Sequence, residues 1–224
     1  MAKLSDVHSI IVLLATIYFA LIAVLNGAMA VNGVIPFQTY VSAHTLVFVN
    51  IFFGILYLVY VTKWKGDVVL LYENTDFRKL VFFALLGAAL HVLLYFAQVT
   101  LFSVSQLAVS VYYALLGSAY ALVAFTENAF FIGVIGDFVA EHFTYSRRGN
   151  LIAAVVSALI AGVTAAVFHL GPYGSSLRAL AIVAFWFGYW TFASLEMKST
   201  LYADFHHAIG NYIGFVWSAV QVVM

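Results

Sequence analysis

Apolar residues run along this chain in blocks of about twenty, separated by short polar breaks, and within a block they are continuous rather than alternating. Continuous blocks exclude transmembrane strands, which would alternate between lipid-facing and lumen-facing residues. A helix needs roughly 20 apolar residues to cross the hydrocarbon core, so the blocks at 8–30, 41–62, 79–101, 106–143, 150–170, 177–197 and 202–223 read as spans. The expected fold is an all-α, polytopic transmembrane helical bundle. With no linker, low-complexity tract or repeat, a single domain fills residues 1–224. Segment 106–143 is too long for one straight crossing. It is either one long tilted helix or two helices broken near Thr126, a residue with the chemistry of an N-cap that would put Glu127 in the first turn. The count is seven spans, or eight if that segment splits.

Composition sharpens the class. The chain is 65% hydrophobic and 8% charged, a balance that leaves too little charge to solvate a globular surface. The absence of cysteine removes disulfides, thiolate catalysis and Cys-ligated metal. A net charge of zero gives no footprint for nucleic acid. The first apolar run is too long for a signal-peptide core and reads as a retained helix. Lys3, the group Lys63, Lys65, Arg78 and Lys79, the pair Arg147 and Arg148, and Lys198 fall on one side of a seven-span arrangement, with Arg178 on the other. The positive-inside rule then places the N-terminus in the cytoplasm and the C-terminus outside, in an integral protein of the cell membrane. The loop 63–79, with Asp67, Glu73 and Asp76 among its bases, reads as solvated. Trp64, Tyr72 and Trp190 read as interfacial belt residues.

Glu127 is the residue that changes the picture. A carboxylate within a membrane span is costly, by about 2.5–3.5 kcal/mol on insertion scales, and marks a functional site by default. Partly desolvated, it has the chemistry of a general base on water. The bland alternative is a protonated Glu bonded to a neighbouring helix. His207 and Asn211 stand at i, i+4 on one helix face, where their N–H groups would suit an oxyanion or simply glue helices together. His206 points about 100° away. His169 ends the 150–170 segment, as a second base or as a cap on helix carbonyls. Asp137, Glu141 and His142 read as an interfacial ion-pair patch with Arg147 and Arg148, and Asp204 as a cap of the last helix. His44 and His91 read as satisfied polar residues, and His8 as a surface residue.

Taken together, Glu127-Asn128-Ala129-Phe130-Phe131-Ile132-Gly133, His169, and His207 with Asn211 resemble the CAAX-prenyl-endopeptidase and bacteriocin-processing (CPBP) family of intramembrane proteases. That family carries Glu-Glu-x-x-Phe-Arg-Gly, then Phe-x-x-x-His, then a Gly-containing helix, then His-x-x-x-Asn. Glu127, Phe131 and Gly133 match the first motif, His169 the second, and His207 and Asn211 the last. Phe185-Trp186-Phe187-Gly188 and Lys198-Ser199-Thr200-Leu201 look like the intervening helix and turn. The resemblance covers about 106–215. It implies a core in which Glu127 and His169 activate water while His207 and Asn211 hold the oxyanion. Asn128 stands in place of the second Glu, Ile132 in place of the Arg, and Ala165 in place of the second motif's Phe. Simple alternation of spans also sends His169 and His207 toward opposite faces, whereas the resemblance implies that they meet.

The leading expectation is therefore a metal- and cofactor-independent intramembrane endopeptidase acting on a membrane-bound peptide or protein, surrounded by membrane lipids. The alternative is a catalytically inactive scaffold or accessory subunit whose partners are the other subunits of a larger membrane complex. That class includes redox complexes, since Thr-Glu-x-x-Phe-Phe-x-Gly also faintly resembles a helix of the third subunit of haem–copper oxidases. A zinc ion on His169, His207 and Glu127 is a further chemical option.

Overall fold

The structure is a computed structural model that describes residues 6–33, 37–64, 70, 72, 75–96, 111–142, 147–174 and 176–220. Among the described residues it is helical, with no strand. Five helical segments are long and apolar enough to cross a membrane: Val7–Val31, Phe77–Leu94, Ala121–His142, Leu151–Phe168 and Leu177–Met197. A shorter apolar stretch runs over Val47–Lys63. These segments are consistent with an integral membrane protein.

Helix α1 (Val7–Val31) opens at Asp6, whose side chain accepts from the backbone N–H groups of His8 and Ser9. Its sidedness is that of a membrane helix: His8, Ser9 and Thr16 are buried, while Ile10, Leu14, Ile17, Leu21, Val24 and Leu25 are exposed. In water such a helix would turn the other way. Helix α2 (Phe37–Val59) continues into a widened turn over Tyr60–Trp64. Helix α3 (Phe77–Phe96), N-capped by Asp76, is peripheral, with Val81, Phe82, Leu85 and Leu93 exposed.

The long segment does not break at Thr126. Helix α4 (Val111–Phe130) runs through that position, and Thr126 Oγ1 donates back to the Val123 carbonyl and across to Asn50 Oδ1 on α2. The irregularity falls one turn later, where the helix widens to π geometry over Phe131–Gly136 before α5 (Asp137–His142). Such widenings recur at functional sites. Two glycines allow close neighbours there: a Cβ on Gly133 would lie 3.1 Å from the Tyr57 ring, and one on Gly136 only 2.7 Å from Thr191.

Helix α6 (Arg147–Phe168) packs along α8 (Leu177–Met197), linked by the single turn α7 (Leu170–Tyr173). Small residues make the seam. A Cβ on Gly162 would sit 2.3 Å from the Ala184 carbonyl, and one on Gly188 3.1 Å from that of Ala158. Between membrane helices, where lipid competes as well as Leu does, such close backbone approach is a main source of association. Lys198, in the left-handed conformation (φ 57°), ends α8 and turns the chain into α9 (Leu201–Val220). Helix α9 lies against α4, and α1 and α2 close the other side of α4.

Part of the segment expected to be a solvated loop folds onto the bundle, while Lys63, Asp76, Phe77 and Arg78 are exposed. Leu70 is buried, Tyr72 reaches Asp204, Thr75 Oγ1 donates to Ser199 Oγ at 2.7 Å, and Lys79 Nζ pairs with Glu196 at 3.1 Å. Burial of Leu70 and satisfaction of Asp204 outweigh its solvation. Lys3, Lys65, Asp67, Glu73, residues 106–110 and 221–224, and the side chains of His44, Trp64, Arg147 and Arg148 lie outside the described residues.

Candidate functional site

Helices α4 and α9 bring Glu127 and His207 together. Glu127 Oε2 lies 3.8 Å from His207 Nε2, with both residues buried. That distance is beyond a direct hydrogen bond and short enough for electrostatic contact or a bridging water. The His207 ring is held on several sides. Trp190 stacks on its face at 4.4 Å, Phe187 meets it edge-on at 5.3 Å, and its Nδ1 is 3.1 Å from Asn128 Oδ1. Trp190 is therefore a core residue of the site, and its belt assignment is corrected: stacking on His207 and donating Nε1–H to His206 Nδ1 at 2.7 Å satisfy both its ring and its polar tip.

Asn128, which replaces an expected Glu, is the hub of a buried polar chain. Its Nδ2 donates to Asp204 Oδ1 at 3.0 Å. Asp204 Oδ2 also accepts from Tyr72 Oη at 2.7 Å and from Thr200 Oγ1 at 2.8 Å. His8 Nε2 approaches the same oxygen at 3.3 Å, an electrostatic contact without hydrogen-bond alignment. His8 Nδ1 and Ser9 Oγ in turn meet Tyr57 Oη at 2.9 and 3.2 Å. Asp204 is thus not the helix cap expected of it. It lies inside the first turn of α9, aimed into the bundle, because three donors from other positions gather on it. Tyr72 is likewise no belt residue. Burial first, and then the Asp204 charge, pushes its hydroxyl well above the usual phenol range, so it stays protonated and donates.

His169 sits just past α6. Its Nδ1 donates to the Ala165 carbonyl at 2.7 Å, the carbonyl-capping arrangement, and its ring lies 5.9 Å from that of Phe187. His169 and His207 therefore pack against one side chain, ten residues into α8 or about 15 Å along its axis. The expectation that they face opposite ends is overturned, because both reach the middle of α8. Phe131 and Phe168 complete the aromatic floor, at 5.0 Å from Phe187 and 5.7 Å from each other respectively. Asn211 follows His207 by one turn and is half-buried.

His206 belongs to an aromatic cluster that joins the site through Trp190, stacked on Tyr202 at 5.1 Å and edge-on to His91 at 4.9 Å. His91 stacks on Trp186 at 4.4 Å. Asp137 is buried and accepts from Tyr60 Oη at 3.3 Å, whereas His142 is exposed and donates to the Phe138 carbonyl of its own helix. Among the described residues no three His, Asp or Glu side chains are arranged to hold a metal ion, so the zinc set of Glu127, His169 and His207 is not assembled.

Glu127, His169 and His207, singled out in the sequence, lie near one another around Phe187 and Trp190, whereas the network of Asn128, Asp204, His8 and Tyr72 was not expected. The available signal was spacing: Thr200, Asp204, His207 and Asn211 recur at helical intervals on α9. No family model, no curated protein and no solved structure matches this chain.

Proposed function

We propose that this chain is an intramembrane endopeptidase whose reactive pair is Glu127 and His207. The observation that carries the reading is the buried 3.8 Å approach of Glu127 Oε2 to His207 Nε2 between α4 and α9. One proton passes between the pair through a bridging water. With that proton on His207 Nε2, Glu127 is an anionic base and His207 a charged donor. Glu127 takes a proton from water as the water oxygen bonds to the scissile carbonyl carbon. The Nε2–H group of His207 then donates to the oxyanion, with Asn211 one turn away as the second donor. Collapse breaks the C–N bond, and the departing amine takes the proton from Glu127. His169, against the same Phe187 ring, holds the attacking water. The substrate is a membrane-bound peptide or protein, and the resemblance to the CPBP family supports the same reaction class.

Seven long helical elements (α1, α2, α3, α4 with α5, α6, α8 and α9) support seven spans. Lys63, Lys79 and Lys198, at helix ends on one side of that arrangement, support a cytoplasmic N-terminus. A second reading, a non-catalytic accessory subunit, is favoured by the 5% exposure of Glu127, which a sealed packing role would also give. The two separate in cells expressing wild type or Glu127→Gln. Peptidase action yields new protein termini that depend on Glu127. If the two termini profiles are identical while partner proteins still co-purify with both forms, the accessory reading replaces it.

A further inference from the structure

The Asn128–Asp204 pair meets the proposed reactive pair through the His207 ring. We infer that it is a positioning device that fixes the tautomer of His207, an inference that rests on the peptidase reading for its catalytic meaning. The Asp204 carboxyl receives Tyr72 Oη at 2.7 Å, Thr200 Oγ1 at 2.8 Å and Asn128 Nδ2 at 3.0 Å. Asn128 Nδ2 donates to Asp204 Oδ1, so the group Asn128 turns toward the carboxyl is the amide NH₂. The amide oxygen is thereby aimed at His207, 3.1 Å from Nδ1. An amide oxygen also only accepts, so His207 carries its proton on Nδ1. Its Nε2 lone pair is left facing Glu127 Oε2.

The chain of donors thus runs in one direction, from His207 through Asn128 to Asp204, and the carboxyl two links away sets whether the Nε2 that meets Glu127 carries a proton or a lone pair. In the opposite tautomer, Nδ1 and the amide oxygen would be two acceptors face to face, and Nε2–H would point at Glu127 whatever its protonation state. The arrangement does for His207 what a directly bonded carboxylate does in a catalytic triad, with an amide interposed. Asp204 acts through Asn128, and Asn128 through His207, so both are positioning residues.

The test reads the tautomer first. In ¹⁵N-histidine-labelled protein, with the His207 signals assigned by their loss in His207→Gln, the neutral ring is expected as the Nδ1–H form. Finding Nε2–H in the wild type overturns the inference, whatever the peptidase assay gives. Absence of cleavage together with the Nδ1–H form instead removes the peptidase reading and leaves the tautomer lock standing. Asn128→Leu deletes the link and is expected to lower kcat about 100-fold with KM unchanged, the size of a lost general acid–base alignment. The exchange Asn128→Asp with Asp204→Asn keeps every donor–acceptor pair, moving the carboxylate one link toward His207. It is expected to restore the Nδ1–H form and most of kcat. A double variant that folds but stays as slow as Asn128→Leu contradicts the inference.

Discussion

Two helix seams run through this bundle and they are built from opposite materials. The α6–α8 seam brings Ala158 and Gly162 against Ala184 and Gly188, and its close approaches are to backbone. The α4–α9 seam carries Glu127 and Asn128 against Asp204 and His207, all buried. The first seam lets two helices approach as closely as their main chains allow. The second spends burial on ionisable groups, which packing alone does not require and which stability alone does not favour. Under the proposed function, scaffold and chemistry are separated by seam, with α8 serving both: its Gly188 face meets α6, and its Phe187 and Trp190 rings frame His207.

The sharpest way to break this division is Glu127→Gln. Cleavage is expected to fall by a factor of about 10²–10⁴, the usual worth of a general base, while thermal stability in detergent is unchanged or raised because a buried ionisable group is gone. A large stability loss without a kinetic signature would make the α4–α9 seam structural as well. Gly162→Leu probes the other seam. The new side chain meets the Ala184 carbonyl, so the helices must separate, at about 3 kcal/mol or more. Unfolding monitored by reactivity or circular dichroism is expected to shift strongly, and a neutral result would show that the seam is not tightly packed. Asn128→Leu strands Asp204 Oδ1 and His207 Nδ1 and is expected to lower stability by about 1–3 kcal/mol beside its effect on kcat. Trp190→Phe keeps a ring on His207 but removes the donor to His206, about 1 kcal/mol with cleavage nearly intact. Lys79→Ala breaks a half-exposed ion pair with Glu196, worth less than about 1 kcal/mol, and belongs to neither seam.

Much of the fold was legible in the sequence because a membrane span is announced by length and hydropathy, which need no partner to be read. The helical class and the position of Glu127 followed directly. The site was legible only in part. Glu127 and His207 are conspicuous because each is costly where it stands. Asn128 and Asp204 acquire meaning only from each other, across 76 residues of chain and two helices. Asn128 viewed alone is a missing Glu. Thr126 misled for a related reason: its hydroxyl can cap a helix, but inside one it donates to the Val123 carbonyl, and only Asn50 on another helix decides which. Trp190 and Tyr72 carry the composition of interfacial residues, and what moved them inward is the polar partner each found in the bundle.

The central claim is that Glu127 and His207 form a reactive pair. It is tested most directly by reconstituting purified wild type and Glu127→Gln in liposomes with a library of membrane-anchored peptides and sequencing the products. The account predicts cleavage products with wild type that are absent, or at least about a hundredfold scarcer, with Glu127→Gln. Products of equal yield from both proteins would contradict it, and so would no product from a folded wild type across the library.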